Sequence, residues 1–141
     1  MDRLAIYEFM TKFRYGVLAS IGPDGTPQSA LVGIAVTPEL EIVFDTVMSS
    51  RKYRNLVARP RCSFVVGGWD GEQTVQFEGV AIEPAGDSLR HYHDIYFEAW
   101  PDGPSRLAWQ GITYFAVKPR WLRYSDFDQS PPLIVEMSFP E

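Results

Sequence analysis

One cysteine, two histidines and no long apolar run are the scarcities of this 141-residue chain. A lone cysteine excludes an internal disulfide and leaves nothing from which to build a thiolate metal cluster. Cys62 lies in the apolar stretch Cys62-Ser63-Phe64-Val65-Val66, where a buried, inert thiol is expected. His91 and His93 stand two residues apart in a helical pattern and so point to different faces. They do not form the i, i+4 pair that helical metal sites use, despite Asp94 and Glu98 nearby. No stretch approaches the roughly 18 to 20 apolar residues of a membrane span, and the first residues lack the apolar centre of a secretion signal, so a cytoplasmic protein without a membrane partner is expected. Dinucleotide fingerprints, phosphate-loop motifs and internal repeats are also missing. No Ser, His and Asp set follows triad logic, and Asp45, Glu72 and Glu78 lie on or beside strands with no partner evident in the sequence.

Positive charge is scarce overall and concentrated locally. The net charge is -5, which argues against nucleic acid as a partner, since phosphate backbones are held by broad basic surfaces. Five of the thirteen basic residues, Arg51, Lys52, Arg54, Arg59 and Arg61, nevertheless fall in one short stretch, and no acid occurs between Asp45 and Asp70. That distribution suits one small anion better than a polymer.

Aromatic residues are abundant: four Trp, seven Tyr and nine Phe. They exceed the needs of a small core and leave some for an interface or a flat ligand. Length and composition fit one domain over residues 1–141, with its core at about 4–127 and a C-terminal tail at 128–141 that is extended or loosely docked.

Taken in order, Ile6, Phe9, Met10 and Phe13 keep helical spacing after a capping Asp2. Strand patterns follow at 15–21, 28–37 and 41–47, separated by the turn-rich Gly22-Pro23-Asp24-Gly25-Thr26-Pro27 and by Pro38-Glu39. A helix is expected at about 49–59, stopped by Pro60. Strands at 61–68 and 73–83 come next, with Gly79 marking a bulge or a close approach. Leu89, Tyr92, His93, Tyr96 and Trp100 define a third helix, closed by Pro101-Asp102-Gly103-Pro104, and a last strand pair, 112–118 and 121–127, is expected to bend at Pro119. The pattern predicts a mainly β, antiparallel, six- to seven-stranded small barrel with three short helices, closed enough to leave no bare edges.

The second helix carries the oddity on which a function can be built. It opens Ser49-Ser50-Arg51-Lys52, placing cations in a first turn where the macrodipole disfavours them by about 0.3 to 1 kcal/mol each. An anion held between the free first-turn amides and those side chains reverses that sign, so the stretch reads as a phosphate cradle.

The ordered set Ala19-Ser20-Ile21-Gly22-Pro23-Asp24-Gly25-Thr26-Pro27-Gln28, Phe44-Asp45-Thr46, Ser50-Arg51-Lys52, Asn55-Leu56 and Val75-Gln76-Phe77-Glu78-Gly79 resembles the pyridoxamine 5'-phosphate oxidase-like flavoproteins. The resemblance covers about residues 4–127 and implies an FMN-binding split β-barrel that forms a homodimer with FMN at the subunit interface. By position it implies that Arg51 and Lys52 hold the phosphate beside Ser50 and that Thr46 stands at a strand end by the flavin. It sets the strand Ala30, Leu31, Val32 and Gly33 against the isoalloxazine. Thr74 would reach the flavin from the partner subunit, and Trp121 would stand near the cofactor end of the last strands.

The departures matter equally. Oxidases of this family begin the strand at 30–35 with Arg and end it with Lys, whereas Ala30 and Ala35 stand here, and Met137-Ser138-Phe139-Pro140-Glu141 shows no Arg-Leu-x-Pro signature. The resemblance therefore implies an oxidoreductase moving two electrons, usually as hydride, between a nicotinamide donor and a small-molecule substrate other than the vitamin. The alternatives are a non-enzymatic flavin carrier, sensor or interaction dimer, and a binder of the deazaflavin F420.

Overall fold

The computed structural model describes residues 1–141. Helix α1 (Arg3–Met10) starts where Asp2 Oδ1 accepts the Ala5 amide at 2.9 Å, and it buries Ile6, Phe9 and Met10. Strand β1 (Tyr15–Ile21) turns at Gly25, whose φ of 85° is a glycine conformation, into β2 (Pro27–Gly33). After Ile34 come β3 (Ala35–Val36), β4 (Ile42–Val47), helix α2 (Arg51–Ala58), β5 (Arg61–Gly67) and β6 (Gln73–Ile82). Helix α3 (Gly86–Ala99), a 3-10 turn (Gly103–Ala108), β7 (Ile112–Asp126) and β8 (Leu133–Ser138) complete the chain.

The strands form one antiparallel sheet in the order β2-β1-β5-β6-β7-β4-β3, with β8 also on β7. Its two end strands, β2 and β3, are separated in sequence by Ile34 alone, so the chain itself crosses the split in the barrel. A residue at such a crossing loses both ladder partners and must find others. Ile34 does: its amide donates to the Arg14 carbonyl at 2.8 Å and its carbonyl accepts Trp100 Nε1 at 3.0 Å.

Inside the barrel, Phe44 stacks on Phe115 at 5.6 Å and meets Phe64 edge-on at 5.9 Å, and Phe64 meets Phe77 at 6.1 Å. Burying each ring contributes about 1.5 to 3 kcal/mol. A second apolar cluster lies outside the barrel, where Val43, Tyr114 and Ala116 meet Tyr92 and Tyr96 from α3 and Trp100 just past its end. Strand β4 is thus covered on both sides, Ile42 and Phe44 inward and Val43 outward, which explains its unbroken apolar run.

The architecture agrees with the mainly β antiparallel expectation, and three details correct it. The stretch 28–37 divides at Ile34, making two strands of one. Residues 112–126 form one strand instead of two. Pro119, which has no amide to donate, faces Gly79 across a register shift at Glu78/Gly79, so the ladder resumes on both sides. A side chain at Gly79 would bring its Cβ to 2.5 Å from the Lys118 carbonyl, which fixes glycine there. The tail is a paired strand: Leu133, Val135 and Met137 pack against the core at alternate positions while β8 extends the sheet beside β7. The count becomes eight strands, and the 3-10 turn at Gly103–Ala108 is an element the Pro-Asp-Gly-Pro turn signal concealed.

Candidate functional site

The chemistry-bearing residues collect at the start of α2, beside the edge strand β2. Ser50 is the N-cap: its Oγ accepts the Tyr53 amide at 3.1 Å and lies 2.9 Å from Thr46 Oγ1. When Thr46 donates in that pair, the Ser50 hydroxyl proton is free to point outward at an acceptor. The amides of Arg51 and Lys52 are first-turn donors with no intrahelical carbonyl to reach.

Arg51 is exposed yet held. Its Nε donates to Gln28 Oε1 at 2.9 Å, and the same oxygen accepts Asn55 Nδ2 at 2.9 Å. Asn55, buried on the inner face of α2, also donates to Ser20 Oγ at 3.0 Å. The chain Ser20–Asn55–Gln28–Arg51 therefore ties helix to sheet and fixes the guanidinium at one corner, leaving its outer nitrogens uncommitted. Gly22 belongs to the same arrangement, because a Cβ there would sit 2.7 Å from Gln28 Nε2.

Lys52 is half-buried and takes part in no ion pair or side-chain hydrogen bond. A cleft of about 300 Å³ opens between these groups, lined by Leu18, Ser20, Gln28, Ala30, Arg51 and Lys52 among others. It holds two cations, hydroxyl and amide donors, and no acid.

Of the residues expected from sequence, Ala30, Arg51 and Lys52 line this cleft, while Ser50, paired with Thr46, caps the helix that carries the two cations. Leu31 and Val32 continue along β2, Leu31 65% exposed on the outer face and Val32 buried inward. Gly33 is covered: the Trp100 indole lies over it so closely that a Cβ would meet Cζ2 at 2.6 Å. The open part of the strand therefore ends at Val32.

Thr74 and Trp121 are not in this cleft. Thr74 lies on β6, three strand spacings or about 14 Å along the sheet from β2, and Trp121 on β7, about 19 Å along it. Both face outward, since Val75, Phe77 and Leu122 are the inward positions. The same outer face carries the cross-strand row Leu31–Val17–Val65, with Val65 41% exposed.

Sequence reading missed Ser20, Gln28 and Asn55 as members of the site. They stood in the ordered set that carries the resemblance without a role, and their further signal was polarity at positions that the strand and helix patterns assign to the interior, where a hydrogen-bond partner is obligatory. It also missed the partner of Asp45, which accepts Arg106 Nε at 2.8 Å from 61 residues away. Cys62 is buried as expected, and burial pushes its thiol up to about 12, far from a thiolate nucleophile.

Comparison with known proteins adds the following. The family model described as Pyridoxamine 5'-phosphate oxidase matches residues 4–125. A pyridoxine/pyridoxamine 5'-phosphate oxidase of Rubrobacter xylanophilus is 33% identical over 93 residues, 66% of this chain and 41% of that protein. One from Bordetella avium is 30% identical over 124 residues, 82% of this chain and 57% of that protein. The chain thus spans between two fifths and three fifths of the length of these curated relatives.

Among solved structures, a conserved hypothetical protein of Mycobacterium tuberculosis superposes with a TM-score of 0.76 at 28% identity, covering 100% of this chain and 93% of that one. A pyridoxamine 5'-phosphate oxidase-related, FMN-binding protein of Nostoc punctiforme gives 0.68 at 12% identity, covering 99% and 93%. A heme-binding protein of Mycobacterium smegmatis gives 0.81 at 16% identity, covering 98% and 58%. The last two share the fold.

Proposed function

The chain belongs to the pyridoxamine 5'-phosphate oxidase family, and from that premise we propose that it is an FMN-binding flavoprotein whose phosphate site is the start of α2. The observation that carries this is the acid-free cleft lined by Arg51 and Lys52, at the helix start that Ser50 caps and where two first-turn amides have no intrahelical partner. FMN when bound supplies two-electron chemistry, as hydride taken up and given out at its ring.

The residues present fit such a group. The amides of Arg51 and Lys52, the Ser50 hydroxyl and the outer Arg51 nitrogens offer donors to a phosphate dianion, and Lys52 offers a mobile charge. The positioning chain through Gln28 and Asn55 limits the freedom Arg51 loses on binding, which favours affinity. Ala30 to Val32 leave an open strand edge along which a flat ring lies. Ala30 and Ala35, small and uncharged where the family's oxidases carry Arg and Lys, favour a substrate other than the phosphorylated vitamin.

The functional unit is a homodimer. The row of exposed Leu31 and Val65 flanking half-buried Val17 on the outer sheet face supports this, and in such a dimer Thr74 and Trp121, outside the cleft of their own chain, would approach the cofactor of the second copy. The reaction class is transfer of hydride between a nicotinamide donor and a small organic acceptor.

The purified protein, reconstituted with FMN and freed of excess, should show flavin absorbance in the visible and lose it on anaerobic addition of NADH or NADPH. Bound flavin that neither nicotinamide reduces assigns the chain to carriage or sensing instead. Displacement of FMN by equimolar deazaflavin F420 assigns it to that cofactor.

A further inference from the structure

A second cleft lies elsewhere, and nothing in the flavin reading uses it. It has a volume of about 460 Å³ and lies between α1, the C-terminal end of α3 and the seam of the barrel at Ile34, Ala35 and Val36. That volume is within the range of small-molecule sites, and its lining mixes apolar side chains with a comparable share of polar surface.

Its walls are pinned. Ile34 is fixed from both sides, by the Arg14 carbonyl and by Trp100 Nε1, and Trp100 is seated on Gly33 with no room for a Cβ between them. Tyr15 meets the Trp100 indole edge-on at 5.5 Å, and the Arg14 guanidinium lies over the same ring at 4.0 Å. Such a frame is preformed, so a ligand meets little ordering cost on entry.

Two charges line the cleft without meeting any partner. Arg14, exposed and held over the indole, makes no ion pair and no side-chain hydrogen bond. Glu98, on the last turn of α3, is likewise unpaired, and the two are not within ion-pair distance of one another.

We propose that this cleft is a second ligand site, separate from the anion cleft at α2, and that it takes a small aromatic acid carrying a hydrogen-bond donor at its opposite end. The ring lies among Ile34, Val36 and Ile95, the carboxylate pairs with Arg14, and the donor reaches Glu98. A bidentate carboxylate suits the planar guanidinium, which cation–π contact already orients. The inference does not depend on whether flavin binds.

The test uses 4-aminobenzoate, benzoate and aniline as probes against the full chain, followed by the indole N–H signals in proton–nitrogen correlation spectra. The Trp100 signal is assigned by its loss in Trp100→Phe. Saturable movement of that signal with 4-aminobenzoate at millimolar concentration is expected. Arg14→Ala should weaken 4-aminobenzoate and benzoate at least tenfold and leave aniline unchanged, while Glu98→Gln should weaken 4-aminobenzoate and spare benzoate. Ala99→Phe, at an exposed position on the rim, should block all three while circular dichroism stays native.

Three results overturn the proposal: no saturable movement with 4-aminobenzoate, movement that survives Ala99→Phe in the folded variant, or equal losses for all probes in Arg14→Ala. Competition by FMN would also overturn it, because the two clefts would then be one site. FMN binding measured in the same samples shows separately whether the flavin reading stands.

Discussion

Two regions of this molecule handle charge in opposite ways. Where α3 and the 3-10 turn lie over β4 and β7, the charged groups near the interior are matched. Glu41, 7% exposed, accepts Tyr92 Oη at 2.6 Å and Lys118 Nζ at 2.9 Å. Arg106 joins Asp45 at 2.8 Å to Asp102 at 2.9 Å. At the start of α2, by contrast, Arg51 and Lys52 face a cleft with no acid in it, in the turn where a helix least favours them. Matched charge near an interior belongs to the architecture. Unmatched charge, held by neutral neighbours such as Gln28 and Asn55, is charge kept for something else.

The contrast can be broken by mutation, starting with the matched region. Glu41→Leu takes the acceptor from the buried Tyr92 and Thr37 hydroxyls, while the half-exposed Lys118 ammonium turns to water, and should destabilise the fold by about 3 kcal/mol in urea unfolding. A loss under about 1 kcal/mol would show that the network is incidental. Gly33→Ala drives a Cβ into the Trp100 indole and disturbs the Nε1 bond that closes the barrel seam, so about 2 kcal/mol of destabilisation is expected by the same assay.

Acid should find the same region. Burial raises the Glu41 carboxyl, but hydrogen bonds from Tyr92 and Lys118 outweigh it and hold the group below its ordinary value of 4.5. A carboxyl lowered on folding contributes stability that is complete above that ordinary value and is lost as pH falls through the lowered folded one. The urea midpoint should therefore drop as pH falls below about 4.5, and the drop should be shallower in Glu41→Gln. Parallel curves for the two proteins would contradict that origin.

The smallest effect belongs to the unmatched region. Replacing Arg51 and Lys52 together by Ala should change the stability of the flavin-free chain by no more than about 0.5 kcal/mol, because the cations there oppose the helix dipole and hold no acid. Only the Arg51–Gln28 hydrogen bond is lost. Destabilisation above about 1.5 kcal/mol would make these residues structural and remove the contrast.

How much of this was legible in the chain follows from range. Local signals read well. Asp2 as a cap, Gly79 as a bulge or close approach and the cation pair at the start of α2 each depend on residues within a few positions, and each is found in place. Long-range pairings did not read. Nothing near Asp45 points to Arg106, and nothing in the tail announces that Leu133, Val135 and Met137 alternate onto the core beside β7. The continuity of β7 through Pro119 was hidden because the compensating bulge is on another strand. In the site, the charged residues were visible and the neutral ones that hold them, Ser20, Gln28 and Asn55, were not, since their role exists only once α2 and β2 are adjacent.

The central claim is that the start of α2 reads a phosphate, and a paired titration of FMN and riboflavin, followed by flavin fluorescence, addresses it directly. The intact chain should bind FMN at least about 100-fold more tightly than riboflavin, about 2.7 kcal/mol, and Arg51→Ala with Lys52→Ala should reduce that ratio to near one while leaving riboflavin affinity unchanged. Equal binding of the two flavins by the intact chain, or a preference for FMN that survives the double substitution, would contradict it.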